Sequence, residues 1–183
     1  MRQHCNLKGQ TLFELTITLS ILSILLGASI SSVNTLIKRE RGKAAINRMV
    51  MATQEIRRLA LSHRSAATLC PVTNGKACEG KWEGQLITFV GRSNSGAAII
   101  STYAPLEQGS IEWRSFRQDN FLEMQSNGLT LAQNGTFVYC PDDNDQHFAH
   151  ALIINKSGRA RLAEDLDGDG IRDLRKGEPI ECR

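Results

Sequence analysis

The residue types best suited to chemistry lie near the C-terminus, where Lys156, Ser157, Gly158, Arg159, Ala160 and Arg161 follow one another. If Ser157 and Gly158 form a turn, Arg159 and Arg161 open a strand and project to the same side, about 6.6 Å apart. Planar guanidinium groups grip phosphate oxygens in pairs. Two of them at that separation suit the phosphates of a nucleic-acid strand, whose rise is about 3.4 Å per nucleotide. The competing reading is a solvated hairpin tip, since charged turns are common. Phosphate contacts of this kind tolerate any base sequence and weaken with salt. No aromatic residue adjoins the motif in sequence, so little base stacking is expected. A second basic stretch, Arg172, Arg175 and Lys176, is interleaved with Asp173, Glu178 and Glu181 and reads as a solvated tail.

Between the two basic stretches lies an acidic loop. Asp165, Asp167 and Asp169 occupy positions 1, 3 and 5 of a calcium-loop pattern, with Gly170 at 6 and Asp173 at 9. Lys176 stands at position 12, where a bidentate glutamate belongs, so calcium would be held weakly there. An acidic, glycine-rich turn serves equally well as a plain loop. Bound calcium would offset acidic charge beside the arginines and make anion binding calcium-sensitive. Calcium is the only cofactor the sequence suggests. Serine, histidine and aspartate are present, but no nucleophile motif, P-loop or dinucleotide fingerprint surrounds them, so an enzyme is not expected.

Composition sets the frame for these groups. The 183 residues are 41% hydrophobic and 22% charged with four prolines, which describes a domain with a core rather than a linker. A net charge of +3 excludes a histone-like polycation, so any nucleic-acid binding must rest on a local patch. Aromatic residues make up only 5%, which argues against a large aromatic-lined cofactor pocket.

The apolar residues are unevenly spread. Residues 15–37 carry no charge, and as a helix they would span about 34 Å, enough for a bilayer core of roughly 30 Å. The pattern continues helically through 39–64 without proline. Ile46, Met49, Thr53, Ile56, Ala60 and His63 form a stripe at spacings of three and four, opposite Arg48, Gln54, Glu55, Arg57 and Arg58. One helix is therefore expected over 10–65, with a membrane or filament half at 10–37 and a soluble half at 38–65. His63 reads as a packed residue on the apolar face. Beyond Cys70 the texture changes to short strands, expected at 85–90, 97–103, 110–116, 121–125, 129–132, 136–140 and 149–155. Turn pairs such as Asn127-Gly128, Asn134-Gly135 and Ser157-Gly158 separate them. The expected class is α+β, a long helix packed on an antiparallel sheet, with 66–183 as the β-rich domain.

The first nine residues, MRQHCNLKG, form a short leader with Arg2 and Lys8 and no acid, followed directly by QTLFELTITLSILSILLG. This arrangement resembles the N-terminus of type IV pilins and type II secretion pseudopilins. The resemblance implies cleavage after Gly9 by a prepilin peptidase and methylation of the new N-terminus at Gln10, where the family usually has phenylalanine. It also implies an assembly role for Glu14, the glutamate at mature position five. A carboxylate in a charge-free membrane segment costs roughly 2.5 kcal/mol or more, which independently makes Glu14 a functional candidate. Its natural partner is the α-amino group of Gln10 on a neighbouring subunit.

Removing the leader takes Cys5 with it and leaves Cys70, Cys78, Cys140 and Cys182. An even count in an exported domain indicates two disulfides. Three pairings are open, and the favoured one joins Cys70 to Cys78 and Cys140 to Cys182. A zinc cluster of Cys140 with His147 and His150 is the weaker reading. Lys38, Arg39, Arg41 and Lys43 follow the apolar segment and oppose an exported C-terminal side by the positive-inside rule. The cysteines and leader outweigh them.

The resemblance narrows further along the chain. CPVTNGKACEGKWEGQLITFV is similar to a stretch of the FimT and GspH branch of minor pilins. IINKSGRARLAEDLDGDGIRD, with a near-terminal cysteine, is similar to the C-terminal part of FimT proteins. That likeness implies a DNA receptor for natural transformation, binding double-stranded DNA without sequence preference through Lys156, Arg159 and Arg161. Other pilins would be partners through the N-terminal helix. The protein would sit in the inner membrane as a single-pass chain with its C-terminal domain in the periplasm, ready for assembly into a pilus. The structural alternative is a GspH-like subunit of a type II secretion pseudopilus.

Overall fold

The computed structural model describes residues 11–74, 76–93, 98–130 and 132–182. Gly9 and Gln10, the expected processing site, lie outside the described residues. One α-helix, α1, runs Leu12–His63. The strands follow in chain order as β1 (Ala67–Thr73), β2 (Lys76–Ala77), β3 (Leu86–Val90), β4 (Ile99–Tyr103), β5 (Ser110–Ser115) and β6 (Leu122–Met124). After them come β7 (Gly135–Cys140), β8 (His150–Ile154), β9 (Ala160–Leu162), β10 (Asp173–Arg175) and β11 (Glu178–Pro179). The chain divides into two units, Met1–Ile37 and Lys38–Arg183.

In the first unit, Thr11 accepts a hydrogen bond from the Glu14 backbone N–H at 3.3 Å, a side-chain cap on the start of the helix. Glu14 is exposed in the first turn, where a carboxylate complements the helix dipole. Leu12, Phe13, Leu15 and Ile24 are also exposed, so this stretch presents apolar side chains without a core of its own. Among the described residues, no helix is long and apolar enough to cross a membrane.

In the second unit, the helix contributes a continuous buried face. Ile46, Met49, Thr53, Ile56 and Ala60 are buried, as their spacing required, and Ala45, Ala52 and Leu59 widen the stripe. His63 is exposed, contrary to expectation, because it lies in the last turn, where the helix stops. Arg64 takes a left-handed conformation at φ 49° and the Ser65 N–H reaches back to the Ala60 carbonyl, which ends the helix without a glycine. Strand β1 then starts at once.

The helix face packs on two antiparallel sheets. One runs β2-β1-β3-β4, with β6 also paired to β1; the other runs β5-β7-β8-β9. Their inward residues meet α1 in one core that includes Leu69, Leu86, Phe137, Tyr139, Leu152 and Ile154. Trp113 stacks on Phe137 at 4.1 Å and Trp82 meets the same ring edge-on at 4.7 Å. A polar seam lies beside this core, where Glu55 accepts from Thr88, Ser101 and Tyr103. Burial alone would raise the Glu55 carboxyl, but those three donors and the Arg58 charge hold it below its ordinary value.

The opposite face of the second sheet carries a smaller core of Val138, Cys140, Ala149, Ala151, Ala163 and Ile180. The chain's C-terminal end, with the β10–β11 hairpin, supplies part of it through Leu174 and Ile180. Both favoured disulfides are formed, Cys70 to Cys78 and Cys140 to Cys182. The second removes Cys140 from any zinc cluster. His150 is buried on β8 and His147 is exposed beside Asp145, so these histidines serve the strand and the loop. Gly42 is where α1 meets His150: a Cβ there would lie 2.6 Å from the imidazole Cδ2.

The basic cluster after the apolar segment is largely engaged. Lys38 pairs with Asp143 and lies 5.7 Å from the Phe148 ring centre, Arg41 bonds Gln108, and Lys43 pairs with Glu40 at 2.7 Å. These charges serve the domain's own surface. Of the strand expected over 129–132, the described residues Leu129, Thr130 and Ala132 lie in no strand, because the Thr130 N–H and hydroxyl bond the carbonyls of Lys156 and Asn155 instead of a strand ladder.

Candidate nucleic-acid interface

The hairpin joining β8 to β9 carries the basic motif. Asn155 organises its turn: the Asn155 carboxamide oxygen accepts from the Ser157 hydroxyl at 2.7 Å and from the Arg159 N–H at 3.0 Å. The backbone closes the loop through Gly158 N–H to the Asn155 carbonyl and Asn155 N–H to the Arg159 carbonyl. Gly158 sits at φ +70°, and a Cβ there would fall 2.1 Å from the Gly128 carbonyl oxygen. Only glycine fits that combination of conformation and contact.

The turn is also tied to the helix. Arg57, half-buried on α1, donates from Nη1 to the Gly158 carbonyl at 2.7 Å. With the Thr130 bonds, this fixes the hairpin tip from two sides. Lys156 and Arg159 are exposed on that held backbone. Among the described residues, neither the Lys156 ammonium nor the Arg159 guanidinium has a hydrogen-bond or ion-pair partner.

Arg161 is placed differently. It lies on β9, exposed, and its Nη2 donates to the Leu174 carbonyl at 2.7 Å. Register aligns Arg114 with Thr136, Thr136 with Ile153, and Ile153 with Arg161, so these four side chains form one row across the sheet. Three strand spacings separate Arg114 from Arg161, about 14 Å. With Leu174, Arg175 and Glu178 of the C-terminal hairpin, this row borders a groove of about 340 Å³. Arg114 is held by Glu112 at 2.6 Å and Arg175 by Glu178 at 2.9 Å.

The second basic stretch is therefore not a uniform solvated tail. Arg172 is half-buried and donates to the Ala149 carbonyl at 3.0 Å, and burial lowers its pKa. Arg175 borders the same groove as Arg161, while Lys176 is exposed. The acidic loop brings together Asp165, Asp167 and Asp173, each offering an oxygen within 4.8 Å of the others. Asp169 stands outside this group and accepts from the Ile171 N–H at 2.7 Å. Asp165 takes the N–H groups of Gly168 and Gly170, which hold its carboxyl below the ordinary value, and Asp173 takes that of Leu166. The carboxylates thus already serve to fold their own loop.

Three residues at this end of the domain were not singled out for the site by sequence: Arg57, Arg114 and Phe116. Period-two alternation puts Glu112 and Arg114 of β5, and Phe116 just after it, on one face. No local signal names the strands that pair with it, and those bring Arg114 into line with Arg161. Phe116 is 77% exposed and borders a hollow shared with Lys156 and Ser157, so an aromatic ring does lie beside the motif in space.

A long helix packed on antiparallel sheet, with disulfides anchoring the ends of the β domain, defines a pilin-type subunit. The model of the family described as type II transport protein GspH matches residues 45–158. The chain belongs to that family, within the type IV pilin-like superfamily of minor pilins and pseudopilins. No curated protein matches the chain significantly. Its fold is similar to that of the type IV minor pilin FimU of Pseudomonas aeruginosa, solved in two crystal forms. One matches with a TM-score of 0.57 at 21% identity, covering 70% of this chain and 92% of that one. The other gives 0.53 at 23% identity, covering 67% and 91%. The family span ends at Gly158, one residue before Arg159.

Proposed function

We propose that this protein is a minor pilin of a type IV pilus that holds extracellular DNA for uptake in natural transformation, through Lys156, Arg159 and Arg161. It is a binding module on a structural stem rather than an enzyme. Maturation by a prepilin peptidase after Gly9, anchoring in the inner membrane, and assembly with other pilins through the helix and Glu14 complete the reading. The supporting observation is the state of the hairpin tip. Its backbone is clamped by Arg57 and Thr130, while the Lys156 and Arg159 charges point to solvent without an internal partner. A rigid turn displaying uncompensated cations loses little freedom when a phosphate backbone binds.

The test is duplex binding by the chain across a salt series. Three phosphate contacts predict a slope of log affinity on log salt near −2.7, a loss of about 40-fold between 50 and 200 mM. Arg159→Gln/Arg161→Gln should flatten the slope to about −0.9 and remove most of the affinity. Duplex binding that ignores the double substitution would refute the assignment. A protein that binds no DNA while folded and oxidised would favour the GspH-like role, a structural subunit of a type II secretion pseudopilus, for which family membership is the supporting observation.

A further inference from the structure

The hollow at the hairpin tip has a composition unlike the arginine groove. Phe116, Leu129, Ala132, Lys156 and Ser157 border about 540 Å³ of open space, with one ammonium and one hydroxyl at the edge of an otherwise apolar lining. The Phe116 ring, 77% exposed, follows directly on β5. An aromatic face left in water next to a cation is the combination that single-stranded nucleic acid uses, a stacking surface for the base and a charge for its phosphate.

The lining is held in place. The Phe116 N–H bonds the Asn134 carbonyl at 3.0 Å. On the facing side, the Leu129 N–H bonds the Asn127 side chain at 3.1 Å, and Thr130 carries two bonds to the carbonyls of the turn that bears Lys156 and Ser157. Gln133, buried next to Ala132, bonds the Glu123 N–H and the Asp119 carboxylate. The backbone on both sides of the space is thus tied down, and among the described residues Phe116, Leu129, Ala132, Lys156 and Ser157 border the space.

We propose that this hollow is a nucleobase site: an unpaired base of a single DNA strand stacks on Phe116 over Leu129 and Ala132, with its phosphate at Lys156. The inference rests on the DNA-binding reading above and extends it from duplex to single-stranded substrate. In a duplex the bases are stacked on one another and offer no free face, so the Phe116 stacking surface contributes to single-strand binding alone, while Lys156 serves both. Stacking is indifferent to base identity, because every base has a π-face.

The test uses the full chain in detergent, with fluorescence anisotropy on a labelled single-stranded oligonucleotide, the same strand with abasic positions, and the corresponding duplex. Phe116→Ala should weaken single-strand binding by about 5- to 150-fold and leave duplex binding unchanged. Phe116→Trp should retain it, and the abasic strand should bind wild type as weakly as the intact strand binds Phe116→Ala. Equal single-strand affinity of wild type and Phe116→Ala, with the Arg159→Gln/Arg161→Gln control still weakening both substrates, would overturn the base site and leave the DNA reading intact. Equal losses on duplex and single strand would also overturn it, since Phe116 would then be supporting the tip rather than a base. Absence of binding to any of the three probes would remove both readings together.

Discussion

Replacing Gly158 by alanine tests how tightly the basic turn is built. The residue lies at φ +70°, where an L side chain costs roughly 1–2 kcal/mol. The added methyl would also stand 2.1 Å from the Gly128 carbonyl oxygen, a backbone atom that cannot rotate away. The two loops must part by about 1 Å, and such overpacking costs roughly 1–3 kcal/mol more. The expected total is about 3 kcal/mol, or roughly 10 °C in melting temperature for a unit of this size. Gly168→Ala is the matched control: its φ is +85° but nothing lies within 4 Å, so only the conformational part should appear. Thermal and urea unfolding of both variants should give a difference of about 1–3 kcal/mol between them. Duplex affinity should fall for Gly158→Ala beyond its effect on stability, because Lys156 and Arg159 ride on the displaced turn. Equal destabilisation by the two substitutions would refute the clamp, and unchanged DNA affinity would refute its role in display.

Other outcomes follow from neighbouring features. Burial, with Arg172, Lys43 and Arg39 adding repulsion, pushes the His150 imidazole down to about 4. Its unfolded counterpart titrates near 6.5, so the unfolded state takes up a proton first and stability falls as pH drops from 6.5 towards 4, by up to about 3 kcal/mol. Urea unfolding at pH 7.5 and 4.5 should show this loss in wild type and much less in His150→Gln. Tyr103→Phe, which removes one donor to Glu55 at 2.6 Å, should cost about 1.5–3 kcal/mol by the same unfolding assay, as a bond to an ionised acceptor. Replacing Cys140 and Cys182 by alanine opens a link across 42 residues and should cost about 4 kcal/mol, against about 2.5 kcal/mol for Cys70 and Cys78 across 8. Arg57→Met should weaken duplex binding severalfold without changing the salt slope, since Arg57 positions the turn and does not face the phosphates.

How much of this was legible can be followed residue by residue. The helix was readable because its period is local: Ile46, Met49, Ile56 and Ala60 recur at the spacing that makes a face, whatever they pack against. His63 fell on the same spacing and is exposed, since periodicity says nothing about where the partner surface stops. Strands β3, β5, β7 and β8 were marked by apolar runs between turn pairs. Strand β1 was hidden, although the helix end near 65 was read, because its ATLCPVT run contains Pro71, which breaks the local strand pattern. The 129–132 segment has strand-like residues, but Thr130 spends its hydrogen bonds on the turn at 155–156.

The site divides in the same way. Sequence by itself determined that the exposed cations would cluster on a glycine turn at 156–161, that four cysteines would staple the β domain, and that a long amphipathic helix would carry it. These follow from contiguous residues, whose conformational preferences act over a few positions. Tertiary structure decided the rest: that Arg114 stands in register with Arg161, that Arg57 reaches the Gly158 carbonyl from 101 residues away, and that Phe116 comes to lie beside Lys156. Those relations depend on strand pairing and on which helix face meets which sheet. Both are set by the burial of the whole core, and no local stretch of the chain contains that information.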